Sequence, residues 1–289
     1  MGPFGMQRMT RNQPMSTNKL VALELASQGS LRWIVGDEDG TDEPELAGAF
    51  FLGAPLPLMG QLYVQAEING EIRLVVLDPV TGRLEWSQQL AHVDASSINN
   101  DPGRRAAGAT PSFADGVLVC PTSTGAVVAV DVANRSLLWG FQYPMVGQRK
   151  RFGIAAYRFS PMPIGERWAD ASVTISNGRV LVTPIESDRL FCLDLVSGQP
   201  VWQPLSRDDR LFTACIHDGN AIVVGRHSVE AISLAVRRRL WKCELSAGLP
   251  SGRGSEGNLV AGIKSRIGDS ASVFLDCLLY TSDAADDLA

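Results

Sequence analysis

The side chains that could do chemistry in this chain are an acidic run, dispersed histidines, basic clusters and isolated cysteines. Asp37-Glu38-Asp39-Gly40-Thr41-Asp42-Glu43 has the carboxylate density of a calcium loop. It lacks the closing Glu at the required spacing, so a solvated segment is expected. His92, His217 and His227 have no metal-ligand partner at helical or hairpin spacing, and His217 beside Asp218-Gly219 reads as a turn residue. Arg104-Arg105, and Arg149-Lys150-Arg151 near Tyr143, Phe152 and Tyr157, could meet an anion, but solvated loops are the expectation. Arg237-Arg238-Arg239 is expected to be exposed. Cys120, Cys192, Cys215 and Cys243 form no CxxC pair and are expected to be buried free thiols, with a Cys192–Cys215 disulfide left open. No catalytic residue and no metal ligand is therefore assigned, and the cofactor-binding residues are unknown.

The elements that would position these groups are legible as a repeat. Leu74-Val75-Val76-Leu77 suits a strand buried on both faces. It runs into Asp78-Pro79-Val80-Thr81-Gly82, where Asp78 can bond downstream N–H groups and Gly82 can take the left-handed conformation. A second strand then reaches Trp86. The same arrangement recurs at Asp131 to Trp139, at Asp194 to Trp202 and, degenerate, at Ser233 to Trp241. Glu24 to Trp33 is a copy with one extra turn residue. The acids Asp78, Asp131 and Asp194 are thereby accounted for by turn chemistry.

Successive tryptophans of this series lie 53, 53, 63 and 39 residues apart. The shortest spacing fits a unit of four short strands, and the longer ones fit that unit with insertions. An earlier hairpin with a glycine turn precedes every strand pair but the first, at Met59-Gly60, Asp115-Gly116, Asn177-Gly178 and Asp218-Gly219. The expected fold is all-β: a propeller of four-stranded antiparallel blades, an incomplete ring with about five to six blades present of seven or eight. A sixth unit is expected near Asn258-Leu259-Val260 and Ser272-Val273-Phe274. The insertions Gly36 to Gly53, Ala91 to Gly108 and Phe141 to Trp168 all connect blades on one face, where function is expected. Helix potential is visible only around Glu43 to Ala49.

The 289 residues carry a formal net charge of −5. Residues from about Cys277 look like a translated sequencing adapter; without Asp283, Asp286 and Asp287 the charge becomes −2, from 28 acidic against 26 basic residues. Such a chain gives no electrostatic reason to bind nucleic acid. No apolar run approaches the roughly 20 residues of a membrane span, and no signal peptide is visible. The expected organisation is a disordered segment 1–17, a propeller domain 18–276 and a non-native tail 277–289.

The strand, the Asp turn with Thr-Gly or Ser-Gly, and the tryptophan resemble the pyrroloquinoline-quinone-like β-propeller repeat. Val76-Leu77-Asp78-Pro79-Val80-Thr81-Gly82 with Trp86, and Cys192-Leu193-Asp194-Leu195-Val196-Ser197-Gly198 with Trp202, match best. The family includes quinoprotein alcohol dehydrogenases and the propeller lipoprotein of outer-membrane β-barrel assembly. It implies tryptophans docked between neighbouring blades. Quinoprotein catalysis would call for an adjacent Cys-Cys pair, which this sequence lacks. A non-enzymatic protein-interaction or scaffold module of the bacterial cell envelope is expected, monomeric as a full ring and without a cofactor. The alternatives are part of a quinone- and calcium-dependent dehydrogenase, or a sensor propeller fused to a kinase.

Overall fold

The computed structural model describes residues 17–40, 42–93, 98–146 and 167–245. The Arg149-Lys150-Arg151 cluster, the sixth unit and the adapter-like tail lie outside these residues. Thr17, assigned above to the N-terminal segment, is buried.

Runs of Val, Ile and Leu bounded by Gly, Asn and Asp give strands in order along the chain. The first sheet pairs β1 (Leu20–Glu24) with β2 (Ser30–Val35). The second contains β3 (Phe50–Phe51), β4 (Leu56–Leu58), β5 (Gln61–Ile68), β6 (Glu71–Leu77) and β7 (Leu84–His92). There the innermost strand is split, because β3 and β4 pair with different parts of β5. A single helical turn, α1 (Pro102–Arg105), precedes the third sheet of β8 (Ser112–Ala114), β9 (Val117–Pro121), β10 (Ala126–Asp131) and β11 (Ser136–Gln142). The fourth holds β12 (Val173–Ser176), β13 (Arg179–Val182), β14 (Arg189–Asp194) and β15 (Leu205–Ser206). The fifth holds β16 (Arg210–His217), β17 (Asn220–Gly225), β18 (Ser228–Ser233) and β19 (Arg238–Glu244). Every pairing is antiparallel and, apart from β3 with β5, joins chain neighbours, so these are the meander blades of a β-propeller.

Strand periodicity explains how blades stack. In β6, Leu74 and Val76 pack with Leu118, Cys120 and Val130 of the third blade. The intervening Val75 and Leu77 pack with Trp33, Val35 and Val64 on the other side. Val117, Val119, Val127 and Ala129 in turn meet Val180, Val182, Phe191 and Leu193 of the fourth blade. A strand sandwiched between two blades must be apolar on both faces, and Leu74 to Leu77 are fully buried.

The first turn of each complete blade holds two residues at positive φ, as in Asp115 (50°) with Gly116 (82°) and Asn177 (49°) with Gly178 (70°). These match the right-handed twist of the flanking strands. The Asp-opened turns behave as expected too: Asp78 Oδ1 accepts from Val80 N at 3.0 Å and from Thr81 Oγ1 at 2.7 Å. Asp194 Oδ1 likewise accepts from Ser197 N at 3.0 Å. Their carboxyls are held below the usual range, chiefly by the Thr81 hydroxyl for Asp78 and the Ser197 N–H for Asp194.

The fourth blade departs from the repeat. Trp202 does not lie on a strand: Pro200 makes an isolated bridge to Leu193, and β15 starts only at Leu205. Pro200 and Pro204 flank Trp202 and remove the N–H groups a ladder needs, so the chain bends there. The helical potential near Glu43 condenses to a 3-10 turn at Pro44–Leu46, whereas α1 had no sequence forecast.

Candidate functional site

Neighbouring strands run antiparallel, so the Asp turns lie at one end of each blade and the interblade insertions at the other. The two ends do different jobs. At the turn end, tryptophans hold blade to blade. Trp33 Nε1 donates to Pro79 O at 3.0 Å, Trp139 Nε1 to Leu195 O at 2.9 Å and Trp202 Nε1 to Leu234 O at 3.2 Å. Trp33 and Trp139 also lie on the turn glycine of the next blade: a Cβ on Gly82 would sit 2.7 Å from Trp33, and one on Gly198 2.4 Å from Trp139. In the third blade Arg135 takes that position and lies over Trp86, Cζ 5.5 Å from the ring centroid.

The insertion end is polar and buried. Arg104 on α1 donates from Nε to Glu67 Oε2 at 2.7 Å and from Nη1 to Asp101 Oδ2 at 2.9 Å. Asp101 also caps α1, accepting from Arg104 N at 2.9 Å, while Glu67 accepts from Ile98 N at 3.2 Å. Arg104 is only 4% exposed, so it is neither solvated nor offered to an anion, contrary to the expectation. Arg105 is likewise engaged, stacked 4.8 Å above Phe50 and bonded to Asn99. The signal was present in Asp101-Pro102, an N-cap followed by a first-turn proline.

Beside this network, Glu186 ties the fourth blade to the root of the third insertion. Its Oε1 accepts from Tyr143 OH at 2.7 Å and from Gly125 N at 3.1 Å. Val146 N donates to the Glu186 carbonyl at 2.8 Å, and Tyr143 N to Gly125 O at 2.9 Å. Burial pushes the Glu186 carboxyl up, the Tyr143 and Gly125 bonds oppose that, and the Asp101 charge adds to it. Gln65 Oε1, Ser123 Oγ, Glu186 Oε2 and Ser187 Oγ are buried without hydrogen-bond partners. Each unmatched group costs roughly 1–3 kcal/mol.

The remaining candidates have structural roles. Glu43 accepts from Leu84 N at 3.0 Å, which anchors the acidic run to β7. Among the described residues no group of three or more His, Cys, Asp or Glu could hold a metal. His217 sits 3.3 Å from Asp218 at the end of β16, and Arg237, Arg238 and Arg239 are exposed. Cys120 and Cys192 are buried free thiols, and burial raises the Cys192 thiol to about 12. Since Cys192 is free, the pairing with Cys215 does not form; Cys215 is instead disulfide-bonded, and Cys243 is free but only half-buried. A cleft of about 330 Å³ near Glu45 and Asn69 is lined by Arg73, which Glu71 and Ser87 already engage at 2.6 and 3.0 Å.

Blades stacked through indole-on-turn contacts define a β-propeller. The family described as "Outer membrane protein assembly factor BamB" matches residues 16–157. Among solved structures, BamB from Moraxella catarrhalis is 17% identical at a TM-score of 0.47, over 75% of this chain and 57% of that one. A europium-containing methanol dehydrogenase is 12% identical at 0.46, over 78% of this chain and 47% of that one. The WD40 β-propeller domain of Doa1 is 10% identical at 0.40, over 66% and 53%. The chain thus spans about half the length of the first two. No curated protein matches it.

Proposed function

We propose that this protein is a non-enzymatic propeller that presents its insertion face to a protein partner in the bacterial cell envelope. The observation that carries the reading is the buried Glu67–Arg104–Asp101 network. It spends Asp101 and Arg104 of the second insertion on fixing the backbone at Ile98 and at α1, which holds that described part of the insertion in place. Rigid presentation lowers the ordering cost of recognition. The matched family is described as an outer membrane assembly factor, which favours a β-barrel assembly component as the partner and the cell envelope as the location. A near-neutral charge does not favour nucleic acid.

The test is binding of the purified full chain to a purified β-barrel assembly protein, measured by interferometry. Binding that weakens when surface residues of the insertions are changed, and not when those of the Asp turns are, supports the reading. Dye-linked alcohol oxidation that depends on added pyrroloquinoline quinone and calcium would overturn it in favour of a dehydrogenase.

A further inference from the structure

Each blade ends on an outer strand whose far side has no neighbouring strand: β2, β7, β11, β15 and β19 are sheet edges. Open edges invite pairing with another chain, and charged side chains or very short strands are what usually prevents it. β2 carries Arg32, β7 carries Glu85, and β19 carries Arg238, Arg239, Lys242 and Glu244, while β15 is only two residues long. β11 has neither safeguard: Ser136–Gln142 is seven residues long and contains no charged side chain. A register shift interrupts its pairing with β10 at Leu138, but β2, β7 and β19 have the same shift, so it does not set β11 apart. Leu137 and Leu138 are 49% and 44% exposed. Among the described residues the backbone of β11 pairs with β10 alone. The adjoining charge is turned aside, because the Arg135 guanidinium lies over Trp86.

An uncharged edge is matched by another uncharged edge. In antiparallel pairing about a two-fold axis, the residues of a strand face residues of the same strand in the other copy. A charged strand then sets like charge near like charge, which is destabilising. β19, with three cations in seven residues, would do so, whereas β11 would not. We propose that β11 pairs edge to edge with β11 of a second copy of this chain, which joins two third blades into one continuous sheet. Main-chain hydrogen bonds hold the two strands together, and the exposed leucines add apolar contact. Seven residues per copy are fewer than the roughly 20–30 of a standard interface, so the association is weak, with a Kd in the micromolar range or above. The outer rim is neither the insertion end nor the Asp-turn end. Self-pairing therefore leaves the insertion face open and does not depend on the protein-interaction function.

The test is sedimentation equilibrium of the purified full chain across the micromolar range, paired with amide hydrogen exchange at the two ends of that range. The wild type is expected to show a reversible monomer–dimer equilibrium, and β11 amides should exchange more slowly at the higher concentration while those of β2 and β19 do not change. L137K and L138K each place a charge on the edge and should raise the dimer Kd at least roughly tenfold. Both positions are exposed, so the fold is expected to survive, and circular dichroism checks it. If one variant does not fold, the other carries the test. A chain that stays monomeric throughout, a dimer untouched by either lysine, or concentration-dependent protection on strands other than β11 would each overturn the assignment. Uptake of an extended peptide of another protein on β11 by a chain that remains monomeric would give the edge to a different partner, and would overturn it too.

Discussion

One repeat position shows how much a single residue decides. Gly82, Arg135, Gly198 and Arg237 occupy the same place in successive turns, and all have positive φ, at 73°, 51°, 68° and 53°. The turn demands that conformation, and glycine adopts it without strain. Where glycine is present an indole lies against it; where Arg135 is present its guanidinium covers Trp86 instead. Gly198→Ala should therefore be destabilising by about 2–4 kcal/mol, from overpacking against Trp139 plus strain. Urea denaturation would measure it as a lower midpoint at unchanged m.

At the same scale, Glu186 sets an unusual pH dependence. Its folded carboxyl lies above the usual value, whereas the unfolded one ionises near pH 4.3. Below that pH both states are protonated. As pH rises, the unfolded state ionises first, so folding loses stability until the folded carboxyl also ionises, and the loss then persists. Asp78, Asp131 and Asp194 contribute with the opposite sign, because their carboxyls are held low. The stability of E186Q relative to wild type should thus increase between pH 4 and pH 8, as followed by denaturant midpoints across that range. A flat difference would contradict the buried environment that Tyr143, Gly125 and Asp101 form around this group.

Elements differ in how openly the sequence announces them. Hairpins were legible because their signals are local: an Asn-Gly or Asp-Gly pair, an Asx turn, a run of β-branched residues. The blade architecture follows from repetition of those signals. Trp202 was misplaced because two prolines outweigh the repeat pattern locally. The candidate site was hidden for another reason. Arg104 meets Glu67 across 37 residues, and Glu186 meets Gly125 across 61, so no local pattern reports the pairings. An Arg-Arg pair in a loop looks solvated until the carboxylates facing it are known. Because α1 is one turn long, its placement rests on that network rather than on helix propensity. Arg104→Ala would leave two buried carboxylates without their cation and should cost about 3–5 kcal/mol, read as a fall in Tm with the insertion exchanging amide hydrogen faster.

For the whole molecule, stability is shared between blades through nearest-neighbour contacts. Trp33, 9% exposed and bonded to the next blade, should cost about 3–5 kcal/mol when changed to Ala. Trp241 is 40% exposed, so Trp241→Ala should cost under about 1 kcal/mol. Equal losses at the two positions in chemical denaturation would refute the shared ladder.

The ladder also runs in one direction, since each indole is completed by a turn that comes later in the chain. Trp33 waits 46 residues for Pro79, and Trp139 waits 56 for Leu195. At the pace of ribosomal synthesis, about 5–20 residues per second, each indole stays uncovered for roughly 2–11 seconds after it is made. The nascent chain therefore advances with a sticky aromatic at its newest finished edge. Holding factors are needed most during synthesis, and least once the following blade has emerged.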